Sequence, residues 1–251
     1  SFTSSLVGIA IKEGYIKSLN DSVSDYIEGM KGSAYDNVTI EQLLTMTSGV
    51  QWNEDYDDPQ SDVARFSTHA SNDGLPSIIS YMRQLPREYP AGEQWQYSTG
   101  ETNLIGVLVS EATGQTLSHY LTEKVWKPFG MESLASWLLS PDGVEMSGCC
   151  IQASLRDFAR YGLFVLEDGK INGTSILPEG WFAAATRDQI AVPGSNGYGY
   201  QWWTFANGSF AARGIFGQMI FIDPKQQLVI AFNGNWPNAT ESELTKQRFE
   251  F

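Results

Sequence analysis

Tyr97-Ser98-Thr99-Gly100 follows a Pro90-Ala91-Gly92 turn and leads into the strongest helical pattern in the chain. A tyrosine just ahead of a helix N-terminus sits in positive potential, which favours its phenolate and suits it to act as a base. The same residues equally describe a tyrosine packed into a turn. Further on, Gly214-Ile215-Phe216-Gly217 interrupts what reads as a central strand. Glycines there weaken pairing and mark either a bulge or the close approach of something to the backbone. A backbone N–H freed in this way is a candidate oxyanion donor.

Other chemistries fall away by elimination. Of the two histidines, His69 lies in a polar loop and His119 stands four residues before Glu123. That pair has no third ligand and reads as a solvated helix face. Glu54, Asp55, Asp57 and Asp58 match no calcium-loop spacing and read as a solvated loop. There is no nucleophile elbow, no dinucleotide fingerprint and no Walker A motif. Cys149 and Cys150 are adjacent, and adjacent cysteines pair only through a strained ring, so two free thiols are expected. Neither a metal nor an organic cofactor is expected.

The elements that must position these groups are legible in outline. The 251 residues are 42% hydrophobic, enough for a sizeable core. With 29 acidic against 16 basic residues the net charge is −13, a field that repels nucleic acid and anionic membrane surfaces. No apolar run approaches the length of a membrane span. Helices are predicted over Thr3–Gly14, from a Thr39/Gln42 capping box, over Ser77–Leu85, Gly100–Gly114 and Leu117–Trp126, after Ser154, and from Pro178 through Ala185. Residues 53–75 carry no apolar period and read as one long irregular loop. Three antiparallel strands are expected at Gly197–Phe205, Ala211–Ile222 and Leu228–Asn233, with turns at Asn207-Gly208 and Asp223-Pro224. The outcome is an α+β fold in a single domain, 1–192 mainly helical and 193–251 holding the strands and a terminal helix.

Taken in order, several stretches resemble the serine β-lactamase-like hydrolases: class C β-lactamases, penicillin-recognising esterases and 6-aminohexanoate-dimer hydrolases. They are Ser1–Ala10, Thr39–Gly49 (TIEQLLTMTSG), Pro90–Gly106 (PAGEQWQYSTGETNLIG), Lys127–Met131 (KPFGM) and Arg213–Pro224 (RGIFGQMIFIDP). The resemblance implies a β-lactamase/transpeptidase-like fold and an acylated serine from a Ser-x-x-Lys motif, whose lysine shares its proton with a tyrosine. Tyr97 resembles that tyrosine, and Thr99 takes the place usually held by Asn. Gly214–Gly217 resembles the third motif, with Ile215 offering the oxyanion N–H and Gly214 and Gly217 flanking it. Tyr56 resembles a substrate-contacting tyrosine of the dimer hydrolases. One of Trp202 and Trp203 faces the same pocket, and Trp202 is preferred.

One departure matters most. The residues three positions before the eight lysines are Ile9, Gly14, Glu28, Leu121, Lys124, Glu167, Ile222 and Glu243, so no Ser-x-x-Lys occurs in the chain. In the family that motif lies immediately before the stretch matching Ser1–Ala10, which leads to the expectation of an N-terminally truncated chain with unpaired sheet. The implied partner is a small-molecule amide or ester, and the implied activity is a serine hydrolase working through an acyl-enzyme. The alternative is an inactive ligand-binding module of the same fold.

Overall fold

The computed structural model describes residues 1–192 and 197–239. Helices form where apolar spacing and caps coincide. α1 (Phe2–Lys12) is buried from Thr3 to Ala10, and Gly14 follows it at φ +82°. α2 (Ile40–Leu44) starts from the predicted capping box, in which the Thr39 hydroxyl accepts the Gln42 N–H and the Gln42 side chain accepts the Thr39 N–H. A cap of this kind contributes about 1 kcal/mol.

The stretch read as one irregular loop contains a helix, α3 (Asp62–Thr68), capped by Ser61. Its apolar signal is only Val63 and Phe66, too short to show a period. Phe66 packs edge-on against Trp52 and Tyr81, long-range partners that a local reading misses. α4 (Ser77–Met82) follows, then α5 (Thr99–Thr113), capped by Ser98 and ended by Gly114 at φ +68°. α5 is buried continuously from Thr99 to Val109 and packs against α1, α2, α3 and α4, which makes it the central helix. The segment predicted as one helix to Trp126 is α6 (Leu117–Leu121) continued by a π-helical turn over Thr122–Trp126.

A short antiparallel ladder, β1 (Ser136–Trp137) with β2 (Ile151–Gln152), precedes α7 (Leu155–Leu166), whose Ser154 cap accepts the Asp157 N–H. A second small hairpin joins β3 (Lys170–Ile171) to β4 (Thr174–Ser175). α8 (Trp181–Ala185) begins after Gly180 at φ +73°, so Pro178 is not its first residue. Instead the Pro178 carbonyl accepts the Trp181 N–H from the preceding turn.

The main sheet is a six-stranded antiparallel meander, wider than the three strands expected. It runs β5 (Ile190–Ala191), β6 (Gly197–Tyr198), β7 (Trp203–Thr204), β8 (Phe210–Arg213), β9 (Met219–Asp223) and β10 (Leu228–Phe232). Gly197–Phe205 folds as the hairpin β6–β7 because Gln201 turns the chain at φ +63°, and the Gly199 N–H closes that turn onto the Trp202 carbonyl. Ala211–Ile222 is likewise two strands. Gly214–Gly217 does not interrupt a strand but turns β8 into β9, with Arg213 opposite Met219. Both predicted turns are present, Asn207-Gly208 between β7 and β8 and Asp223-Pro224 between β9 and β10.

α7 covers one face of β9 and β10, and Gly162 lets it approach, since a Cβ there would lie 2.4 Å from the Val229 side chain. Helices plus an antiparallel sheet give the expected α+β class. Among the described residues no helix is long and apolar enough to cross a membrane. The terminal helix expected late in the chain falls on residues 240–251, outside the described ones.

Candidate functional site

A cavity of about 1210 Å³ lies where the start of α5, the 54–56 loop, the β2 segment and the β7–β9 end of the sheet meet. Its polar hub is Glu54, a residue expected to be solvated. The Glu54 carboxylate accepts the Thr99 N–H at 3.0 Å, the Thr99 hydroxyl, the Tyr56 hydroxyl at 2.7 Å and the Trp52 indole N–H. A carboxylate at the first residue of α5 also complements the positive end of that helix. Tyr56 and Thr99 are thereby fixed 3.3 Å apart, oxygen to oxygen, on one wall of the cavity. A sequence signal did exist: Glu54 stands between Trp52 and Tyr56, flanked by two donors.

Tyr97 also lines the cavity. Its ring stacks on Trp203, with centroids 5.8 Å apart and planes inclined at 24°, and meets Tyr198 edge-on. The helix N-terminus was expected to favour its phenolate. Burial instead holds the phenol well above its ordinary pKa, the Glu54 charge raises it further, and Arg213 offsets only part of this. The physical reason is that burial disfavours any charged form.

Trp203, not Trp202, faces the cavity. Trp202 is fully buried and packs edge-on against Phe210. The preference for Trp202 fails because the Gln201 turn, not a regular strand, sets the direction of the pair. Trp203 contacts both Tyr97 and Arg213, whose guanidinium lies 4.9 Å from the ring centroid.

Gly214 and Ile215 line the cavity, and Ile215 is 36% exposed. Gly217 does not line it. A Cβ on Gly217 would lie 2.5 Å from the Trp236 indole, so this glycine makes room for packing rather than for a ligand. Gln201 was missed altogether. Its side chain accepts the Thr3 hydroxyl at 2.5 Å and donates to the Thr102 hydroxyl at 3.0 Å, while its N–H reaches the Leu44 carbonyl. One residue thus ties α1, α2 and α5 to the sheet beneath the cavity.

The largest correction concerns the cysteines. Cys149 and Cys150 form a disulfide with each other, and Cys150 adopts φ +69°, a left-handed conformation in which the ring closes. Both border the cavity. His69 bonds Ser80, Glu123 pairs with Lys127, and no metal-holding group of His, Cys, Asp and Glu occurs among the described residues.

Against this geometry stand the comparisons with known proteins. The family model described as Beta-lactamase matches residues 1–250. The chain is 28% identical over 255 residues to the 6-aminohexanoate-dimer hydrolase of Paenarthrobacter ureafaciens, a match covering 95% of this chain and 64% of that relative's length. A solved Bacillus anthracis protein, provisionally named a 6-aminohexanoate-dimer hydrolase, superposes with a TM-score of 0.84 at 26% identity, over 98% of this chain and 67% of its own. The fold is shared with a D-stereospecific amidohydrolase from Streptomyces sp., at a TM-score of 0.71 and 17% identity, over 99% of this chain and 84% of that one.

Proposed function

Because the chain belongs to the beta-lactamase family, we propose that it carries the tyrosine, the oxyanion donor and the substrate walls of a hydrolase that cleaves small amides or esters through an acyl-enzyme. The observation behind this reading is the stack Tyr97–Trp203–Arg213, which ties the tyrosine to the strand leading directly into Gly214 and Ile215. A proton-handling group and a candidate oxyanion N–H thereby border the same cavity.

In this mechanism a serine hydroxyl gives its proton to the lysine of its own Ser-x-x-Lys segment and attacks the substrate carbonyl. The developing negative charge is met by the Ile215 N–H, and that lysine returns the proton to the serine when the acyl group leaves. Tyr97, neutral because of its burial, donates its proton to the leaving group and recovers one when water is deprotonated for deacylation. A cation beside the ring lowers the cost of its phenolate intermediate, as Arg213 already does in part. Tyr56 and Thr99 hold the substrate on the Glu54 side, and Trp203 and Gly214 hold it on the sheet side. The 6-aminohexanoate dimer is a linear amide and a fitting first substrate. A second reading of the same cavity is a module that binds such ligands without turnover.

Exposure to a fluorophosphonate probe, read by intact mass and peptide mapping, tests both. The hydrolase reading expects no labelling of these residues alone and stoichiometric labelling once a Ser-x-x-Lys segment is joined ahead of Ser1. Labelling that maps to a serine within residues 1–251 overturns the assignment of the nucleophile. No labelling in either form supports the binding module.

A further inference from the structure

A wall of the cavity that adjoins Thr99 is built from Gly148, Cys149, Cys150 and Ile151. This segment is clamped at its back. The Trp137 indole N–H donates to the Cys149 carbonyl at 2.9 Å and to the Met146 carbonyl at 3.1 Å. The Leu138 N–H reaches the Cys150 carbonyl at 3.2 Å, and Ile151 pairs with Trp137 in the short ladder. At its front the segment presses on the start of α5, since a Cβ on Gly148 would lie 2.3 Å from the Asn103 side chain and 2.5 Å from the Thr99 carbonyl. Between these clamps lies the disulfide joining neighbouring residues, with Cys149 exposed. Such a crosslink closes no long loop, so its restraint on the unfolded chain is small. What it restricts is the local path of the backbone at Cys149 and Cys150.

We propose that the Cys149–Cys150 disulfide is a redox-set wall of the ligand cavity, holding Gly148–Ile151 against the Thr99 end of α5 when oxidised and releasing it when reduced. The inference rests on the reading of that cavity as the substrate site. The step is a thiol–disulfide exchange with a dithiol. A dithiol thiolate attacks one sulfur and breaks the Cys149–Cys150 bond, and the second dithiol sulfur displaces the mixed disulfide. Two cysteine thiols result, and the reductant leaves as its own disulfide, having supplied two electrons and two protons. Cys149 is the reachable sulfur because it is the exposed one. Released, the segment must be re-ordered by the ligand, which weakens binding by about tenfold for each residue's worth of backbone freedom regained.

The test uses the whole chain in three forms: air-oxidised, reduced with dithiothreitol, and Cys149→Ala/Cys150→Ala. Alkylation with mass readout counts thiols, calorimetry measures binding of the linear 6-aminohexanoate dimer, and hydrogen exchange follows the 146–152 and 99–103 peptides. The proposal expects no alkylation before reduction and two additions after it. It also expects about tenfold weaker binding in the reduced and doubly substituted forms, with faster exchange in 146–152 while the α1 peptides are unchanged. Two alkylated thiols in the oxidised protein overturn it. Equal binding by all three forms overturns it while leaving the cavity reading intact. Binding by none of them overturns the cavity reading and the wall with it. A doubly substituted form that fails to fold leaves the reduced natural chain to decide.

Discussion

Tyr97 lies stacked on Trp203, with ring centroids 5.8 Å apart, and Arg213 covers the same indole at 4.9 Å. This contact separates two neighbouring tryptophans by role. Trp203→Ala removes a wall of the cavity and is expected to weaken binding of the 6-aminohexanoate dimer about tenfold or more. Trp202→Ala empties a fully buried site and should lower stability by about 3–5 kcal/mol. Calorimetry and denaturant titration on both variants check the contrast, and a reversal of the two effects would return Trp202 to the cavity.

Glu54 is expected to act through charge as well as through its hydrogen bonds. In Glu54→Gln the amide presents a donor where two N–H groups, of Thr99 and Trp52, or two hydroxyls now donate. Leaving such donors unsatisfied costs about 1–3 kcal/mol. Because the Glu54 charge also raises Tyr56 and Tyr97, both phenols should titrate lower in the variant. Ultraviolet difference titration of tyrosinate reads this. A melting temperature that falls with no movement in the tyrosine titration would limit Glu54 to a structural role.

Glu101 gives stability a pH dependence of defined sign. Burial raises its carboxyl to about 8, against which the hydrogen bonds from Ser48 and Tyr35 act only in part. An unfolded glutamate titrates near ~4.3. Between these values the folded chain keeps a proton that the unfolded chain has lost, so stability falls as pH rises through this window and levels off above it. Melting temperatures across the range, for the natural chain and Glu101→Gln, check this. The variant should lose that component of the slope, and parallel curves would refute it.

Strand β10 is an edge of the sheet among the described residues, with Leu228 and Ile230 exposed. Unpaired apolar edges recruit other strands. The chain is expected to self-associate in sedimentation experiments, and Ile230→Lys to shift it toward monomer. A monodisperse monomer of the natural chain would count against an open edge.

The sequence alone determined what depends on neighbours a few residues apart. The Thr39/Gln42 box, the Ser154 cap, Gly114 at the end of α5 and the Asn207-Gly208 turn are local hydrogen-bonding and backbone preferences, and all stand in the structure. The ordered motifs around Tyr97 and Gly214 carried the family for the same reason, being contiguous strings. Tertiary structure decided everything that joins distant segments. Glu54 reaches Thr99 across 45 positions, which turns a loop acid into the hub of the cavity. The turn at Gln201 points Trp203 rather than Trp202 at Tyr97, and Gly217 is claimed by Trp236. Cys149 and Cys150 are neighbours, yet their pairing accompanies a left-handed backbone at Cys150, in a segment held between Trp137 and α5. Spacing along a chain reports which groups can meet within a turn or two. Burial, ring stacking and charge coupling are set only when the chain closes on itself.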